Sequence, residues 1–271
     1  MMRLKLLNIV LIASFLAMLW FGLLGGLDKT ASAATSTAAQ RTPVLIELFT
    51  SEGCSSCPPA DVLLGQLDRF QPVPTADLIV LSEHVDYWDD IGWKDPYSSR
   101  QFSLRQSDYA RRFRLDGPYT PQMVVDGNTQ LIGSDEHEAL RAIGNAAKVV
   151  KLPVGLSSPH LAGTNMLALH ITVGPALPPA KPTPAEVLVA LADDNDQSSV
   201  RHGENAGRVL KHVAVVRALT PVGTTDGSGA LSKDVSVNTG NANLQNLRIV
   251  AIVQEKTGGR VLGVGSTRLS N

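Results

Sequence analysis

Cys54 and Cys57 are the only cysteines in 271 residues, and they share one C-x-x-C within Gly53-Cys54-Ser55-Ser56-Cys57-Pro58-Pro59. Thiols confined to such a pair can exchange a disulfide, hold a soft metal, or form a permanent short bridge. A bridge over two intervening residues removes little chain entropy, so it is a poor staple and a better reactive bond. Two thiolates can bind Cu(I) linearly, with His84 or Asp86 as an added ligand. A closed zinc site normally needs four protein ligands, and there is no second cysteine pair. Thiol–disulfide exchange is therefore the leading expectation. A copper carrier using Cys54, Cys57 and His84 is the second, and a non-catalytic binding module with a fixed disulfide is the third.

The elements that must position the pair follow from local pattern. Val44 to Phe49 is a near-continuous apolar run bounded by Pro43 and by Thr50-Ser51-Glu52-Gly53, which predicts a buried parallel strand. Pro58 and Pro59 are tolerated only in the first turn of a helix, and Asp61 adds charge near its positive end, so a helix is expected from about Cys57 to Phe70. Amides at that helix start stabilise a thiolate, which makes Cys54 the expected nucleophile and Cys57 its resolving partner.

Asp77 to Ser82 predicts a second strand beside the first. The segment that follows, Glu83 to Tyr97, carries His84, Asp86, Tyr87, Trp88, Trp93 and Tyr97 among several acids, at the strand end where open α/β sheets place their ligands. His84 is either a hydrogen-bonded histidine that stabilises this insert or a neighbour of the thiols. Asp86, Trp88 and Trp93 form either a partner-recognition surface or a secondary core. A helix is expected over Ser98–Phe113. Thr120-Pro121 then opens a strand containing Gln122, Asp126-Gly127 turns into a second strand at Thr129–Ile132, and Ser134 is the expected cap of a last helix ending near Val150.

The order β-α-β-α-β-β-α, with C-x-x-C at a helix start and a later proline before a hairpin, resembles a thioredoxin-like domain. That resemblance implies a cis Pro121 facing the cysteines, with Thr120 and Gln122 beside it. It also suggests Glu47 as the buried acid that serves Cys57, although Glu47 lies one residue further from the motif than in thioredoxins. No Trp precedes Cys54, Ser-Ser fills the motif, and the region before Pro121 is enlarged. More narrowly, Glu47–Asp61, His84–Tyr97, Tyr119–Gly127 and Arg201–Arg208 are similar to a bacterial family of exported proteins classed as a domain of unknown function.

Beyond Lys151 helical periodicity fades. Leu167–Val173, Glu186–Leu191, Val209–Arg217 and Leu247–Gln254 predict short strands, and Pro175 to Pro184 a loop. The expected architecture is α/β: a thioredoxin-like domain at 43–151 with a mixed sheet, flanking helices and a helical insert at about 84–116, followed by a mostly β, sandwich-like domain at 152–271. Glu204, Asn205, Arg208 and His212 suggest a polar cluster or an interdomain salt bridge.

Arg3 and Lys5 precede the apolar Leu6–Leu27 and the small-residue site Ala31-Ser32-Ala33, so 1–33 is expected to be a signal peptide, or an uncleaved anchor, and 34–42 a flexible tail. A periplasmic or secreted location follows, with membrane attachment only if the segment is retained. The first 33 residues hold three basic side chains and one acidic one, so without them the formal charge moves from −1 to −3. That balance and the lack of a basic stripe argue against nucleic-acid binding. Phosphate-loop, G-x-S-x-G, H-E-x-x-H and dinucleotide motifs are missing, which disfavours a kinase or hydrolase. The expected partner is a protein thiol or disulfide, and no cofactor is expected.

Overall fold

The computed structural model describes residues 41–176 and 184–269. The expected signal segment, the tail up to residue 40 and residues 177–183 of the expected loop lie outside them. Strand β1 (Thr42–Thr50) runs parallel to β2 (Ala76–His84) and antiparallel to β3 (Gln122–Val125), which pairs in turn with β4 (Thr129–Ile132). Helices α1 (Pro58–Phe70), α2 (Arg100–Phe113) and α3 (Glu136–Ala146) complete the expected order. Every residue of β1 from Val44 to Thr50 is buried, as its unbroken apolar run requires. Leu64 and Leu67 of α1 join the same core. Each contributes on the order of 1.5–3 kcal/mol by burial and so fixes where the helix, and the cysteines at its start, must lie.

The last helix departs from expectation at both ends. Its cap is Asp135, whose side chain accepts from the Glu138 amide at 2.9 Å, and not Ser134. A charged oxygen is the stronger acceptor for an unpaired helical N–H. The helix also ends at Ala146, short of Val150.

The second half adds β5 (Val154–Leu161), β6 (Met166–Val173), β7 (Glu186–Asp193), β8 (Asp196–Ser199), β9 (Val209–His212), β10 (Val215–Thr224), β11 (Leu231–Asn238), β12 (Leu247–Gln254) and β13 (Val261–Arg268). Four of them extend the first sheet into an eight-stranded mixed sheet, β13-β12-β7-β10-β2-β1-β3-β4. The two groups of four meet at β2 and β10 through a single register pair, Ser82 with Val215. A three-stranded antiparallel sheet, β11-β6-β5, covers one face of this extension. Val187, Val189 and Leu191 of β7 and Ile249, Ala251 and Val253 of β12 pack with Leu167, Leu169 and Ile171 of β6. This is the sandwich-like part. The opposite face of β7 and β12, with Leu188, Ala190, Val250 and Ile252, joins the core of β1 and β2.

The single strand expected over Val209–Arg217 is two strands in different sheets. Ala214 between them has φ of 50°, a left-handed conformation that no strand continues through. The break turns β9 back to pair with β8, which brings the stretch between them, 200–208, towards the cysteine motif.

Candidate functional site

Cys54 and Cys57 form a disulfide with a Cα–Cα separation of 5.5 Å. Cys57 caps α1, with Pro58 and Pro59 in the first two helical positions, where their missing N–H groups cost nothing. The Cys57 amide donates to the Cys54 carbonyl, and the Cys54 amide to that of Ser51, each at 3.2 Å. Cys54 Sγ lies 3.3 Å from Ser56 Oγ. Ser55 and Ser56 are exposed, yet both cysteines are fully buried.

The cover comes from the second half. Asn205 donates from Nδ2 to the carbonyls of Glu52 and Cys54, both at 2.9 Å, and Glu204 Oε2 accepts from the Ser55 amide at 2.9 Å. Hydrogen bonding from the Ser55 side chain, and then from its amide, holds the exposed Glu204 carboxyl below its ordinary range. Arg208 donates to Asn205 Oδ1 at 3.0 Å and steadies the loop. Gly203, at φ 76°, lies against the insert: a Cβ there would be 3.2 Å from that of Trp93.

The Thr120–Pro121 peptide is cis. A Cβ added to Gly133 would be 3.0 Å from Pro121 Cβ and 3.2 Å from Ala60 Cβ, so this glycine lets the proline loop approach the first turn of α1. Trp88 donates from Nε1 to Thr120 Oγ1 at 2.8 Å, and its Cβ and carbonyl crowd Gly53. Trp88 thus ties the cysteine motif to the proline loop.

Just before the motif, Glu52 is fully buried and gathers four side chains. Its amide donates to Asp95 Oδ2 at 2.8 Å, and its carboxylate accepts from Trp93 Nε1 at 2.8 Å and from the Ser198 hydroxyl. His212 Nε2 is 3.0 Å from Glu52 Oε1. His84 Nδ1 is 2.7 Å from Asp95 Oδ2, and the His84 ring meets that of His212 edge-on at 4.7 Å. Burial pushes the Asp95 carboxyl up, but His84 and the amides of Glu52 and Tyr97 outweigh it and hold the group below its ordinary range. His84 therefore belongs to a buried polar cluster that reaches the motif through Glu52.

One turn into α1, Asp61 is buried, and burial pushes its carboxyl up to about 7 against the pull of His212, whose Nδ1 is 4.0 Å from Asp61 Oδ2. A simple helix-dipole partner would titrate low; here desolvation wins.

The remaining expected residues make their own contacts. Glu47 is buried on the α2 face, where Arg105 Nε donates to Oε1 at 2.7 Å and Tyr109 donates to Oε2 at 2.6 Å. The Gln122 side chain is buried between Gln106 and Gln130. Asp86 accepts from the Ser103 hydroxyl at the start of α2. Among the described residues no three His, Cys, Asp or Glu side chains are arranged to hold a metal ion, the set Cys54, Cys57 and His84 included.

Sequence reasoning singled out Glu204, Asn205, Arg208 and His212 without placing them on the motif, and it missed Glu52 and Asp95 as site residues. Their signal was thin: Glu52 adjoins the motif, and Asp95 is one acid among several in the insert.

Comparison with known proteins agrees with this architecture. No curated protein matches the chain. The crystal structure of protein AGR_C_4864 from Agrobacterium tumefaciens is similar over 86% of this chain and 99% of that one, with 26% identity and a TM-score of 0.61. HBP35 of Porphyromonas gingivalis shares the fold at 13% identity, over 84% of this chain and 76% of that one, with a TM-score of 0.58. The family model described as "Protein of unknown function (DUF1223)" matches residues 45–254, from β1 to the end of β12, and the chain belongs to that family.

Proposed function

We propose that the chain is an exported thiol–disulfide oxidoreductase acting on protein thiols or disulfides, with Cys54 and Cys57 as its redox pair. The observation that carries this reading is a disulfide over two residues at the start of α1, with a cis-proline loop packed against the same turn. A substrate thiolate attacks Cys54 Sγ, the bond to Cys57 breaks, and Cys57 leaves with the electron pair. A second substrate thiolate then attacks the substrate sulfur of the mixed disulfide and releases Cys54. The substrate dithiol is oxidised and the pair reduced; the reverse sequence reduces a substrate disulfide. Export rests on the basic, apolar and small-residue pattern of the first 33 residues.

The full burial of both cysteines favours a second reading, a permanent structural bond. Under the redox reading, the loop carrying Glu204 and Asn205 must open for a thiol to reach Cys54.

Titration of the mature chain in glutathione buffers, followed by alkylation and mass spectrometry, separates the two. A reversible two-electron transition within the range of thiol–disulfide oxidoreductases, roughly −120 to −270 mV, with Cys54 alkylated first, is the expected result. A bond that resists reduction below about −300 mV overturns it and leaves the structural reading.

A further inference from the structure

The redox reading leaves a proton unassigned. When Cys57 departs from the disulfide it is a thiolate inside the protein, and a buried anion is costly unless a proton or a countercharge meets it. On the α2 side of the sheet, the acid suggested by sequence, Glu47, is already committed to Arg105 and Tyr109.

The α1 side holds a different carboxyl. The Asp61 amide donates to the Cys57 carbonyl at 3.1 Å, and Cys57 itself has helical angles, φ −78° and ψ −39°. The two side chains are therefore at i and i+4 on one helix face, roughly 5–6 Å apart at Cβ. Asp61 Oδ1 and His212 Nδ1 are buried without a well-formed hydrogen bond, and the Thr50 side chain gives the Asp61 carboxylate a weaker one. Both residues line an open cleft of about 530 Å³ between α1 and β9, with Gly65, Lys211 and Arg268 on its walls. Asp61 thus has the buried cysteine on one side and a solvent-facing cleft on the other.

We propose that Asp61 gives a proton to Cys57 when the disulfide opens and takes it back when Cys57 attacks, with His212 setting its charge and the cleft connecting it to water. The inference rests on the redox reading above. As the Cys54–Cys57 bond breaks, the proton on the Asp61 carboxyl moves to Cys57 Sγ. This leaves a neutral thiol and a carboxylate, which regains a proton from water in the cleft. In the reverse direction the carboxylate takes the Cys57 proton, and the thiolate attacks the mixed disulfide.

A carboxyl that titrates near neutrality suits both directions. The charged and titratable groups around Asp61 are His212 and Lys211 from β9, Glu52 before α1, His84 at the end of β2 and Asp95 from the insert. Asp194 follows β7, Arg268 ends β13, and Asp68 and Arg69 lie along α1. His212 favours the carboxylate, while Glu52 and Asp95 oppose it.

Two measurements on the mature chain test the assignment. In the first, the disulfide is reduced by dithiothreitol in stopped flow from pH 5 to 9. Asp61→Asn is expected to slow the reaction at pH 6 by about tenfold or more and to remove the break near pH 7; Asp61→Glu is expected to restore part of the rate. In the second, Cys57 is the sole thiol in a Cys54→Ser background, and its thiolate is followed by ultraviolet absorbance. Adding Asp61→Asn should shift that titration to lower pH, because a neighbouring negative charge has gone; a merely structural Asp61 would not move it. Unchanged rate profiles together with an unchanged Cys57 titration would overturn the proposal. If the wild type exchanges with no protein substrate, the redox reading fails, yet the Cys57 titration still reports whether Asp61 and Cys57 share a proton.

Discussion

Two buried polar networks flank β1 and differ in how completely they are satisfied. On the α2 face, Glu47, Arg105, Tyr109 and Gln254 close on one another: Arg105 and Tyr109 donate to Glu47, and Gln254 takes Arg105 and reaches the Tyr109 hydroxyl and the Gly259 carbonyl. Glu83 lies 3.5 Å from Arg105, and burial, then Glu47, pushes its carboxyl well above the ordinary range. One cation thus faces two acids, of which one keeps its proton; neither buried Glu83 oxygen makes a hydrogen bond, so the closed set is Glu47, Arg105, Tyr109 and Gln254. On the α1 face, Asp61, His84 and His212 each retain a buried polar atom without a partner. Buried polar groups are almost always paired, and the exceptions call for a reason. The closed network has the form of a structural tie between α2, β1 and β12, whereas the open one lies beside the start of α1 that carries Cys57.

The comparison is broken most severely at Arg105. Arg105→Met leaves the Glu47 carboxylate buried without its cation, and urea unfolding should show a loss of about 3–5 kcal/mol. The dithiothreitol reaction of the folded fraction should keep its rate. A slowing as large as that of Asp61→Asn would erase the distinction between the two faces.

Asp61 is next. Its carboxyl holds a proton to about pH 7 in the folded chain and releases it near pH 4 when unfolded. The native state therefore binds more protons across that window, and the contribution of Asp61 to stability falls as pH rises from about 4 to about 7. Unfolding of the oxidised chain at pH 4.5 and pH 8 should show Asp61→Asn gaining up to about 4 kcal/mol on the wild type at the higher pH. The contribution of Glu83, common to both proteins, cancels in the difference. A pH-independent gap between variant and wild type would place Asp61 in the satisfied class.

The smallest effect belongs to the cover. Asn205→Ala removes two hydrogen bonds to the Glu52 and Cys54 carbonyls, and a loss of about 1–3 kcal/mol is expected. Dithiothreitol should then reduce the disulfide faster. An unchanged rate would mean that the loop does not limit access.

These contrasts also separate what the chain discloses locally from what it does not. The strand into the motif, the helix start at Pro58 and the hairpin at Asp126-Gly127 are legible because each rests on neighbours within a few residues. β13 was not, because Gly263 and Gly265 interrupt its pattern: Cβ atoms there would come within 2.6 Å of the carbonyls of Leu152 and Val154, so only glycine admits that segment. β5, with Pro159 and exposed serines, carries too weak an alternation. In the site, Cys54 and Cys57 were readable from their spacing, and the cis-proline from the resemblance to thioredoxin-like domains. The contacts of Glu52 with His212 and of Asn205 with Cys54 join residues 160 and 151 positions apart, and no local pattern encodes such pairings. Asp61 was visible as the acid in the first turn of α1, where it lies, but sequence does not show the desolvation that raises its carboxyl.

The separation between motif and cover also sets a clock. Glu204 and Asn205 follow Ser55 and Cys54 by 149 and 151 residues, and at roughly 5–20 residues per second of synthesis they emerge on the order of 10–30 s later. Until then the two thiols have no roof. A newly made chain thus carries the pair uncovered until the segment holding Glu204 and Asn205 has been made.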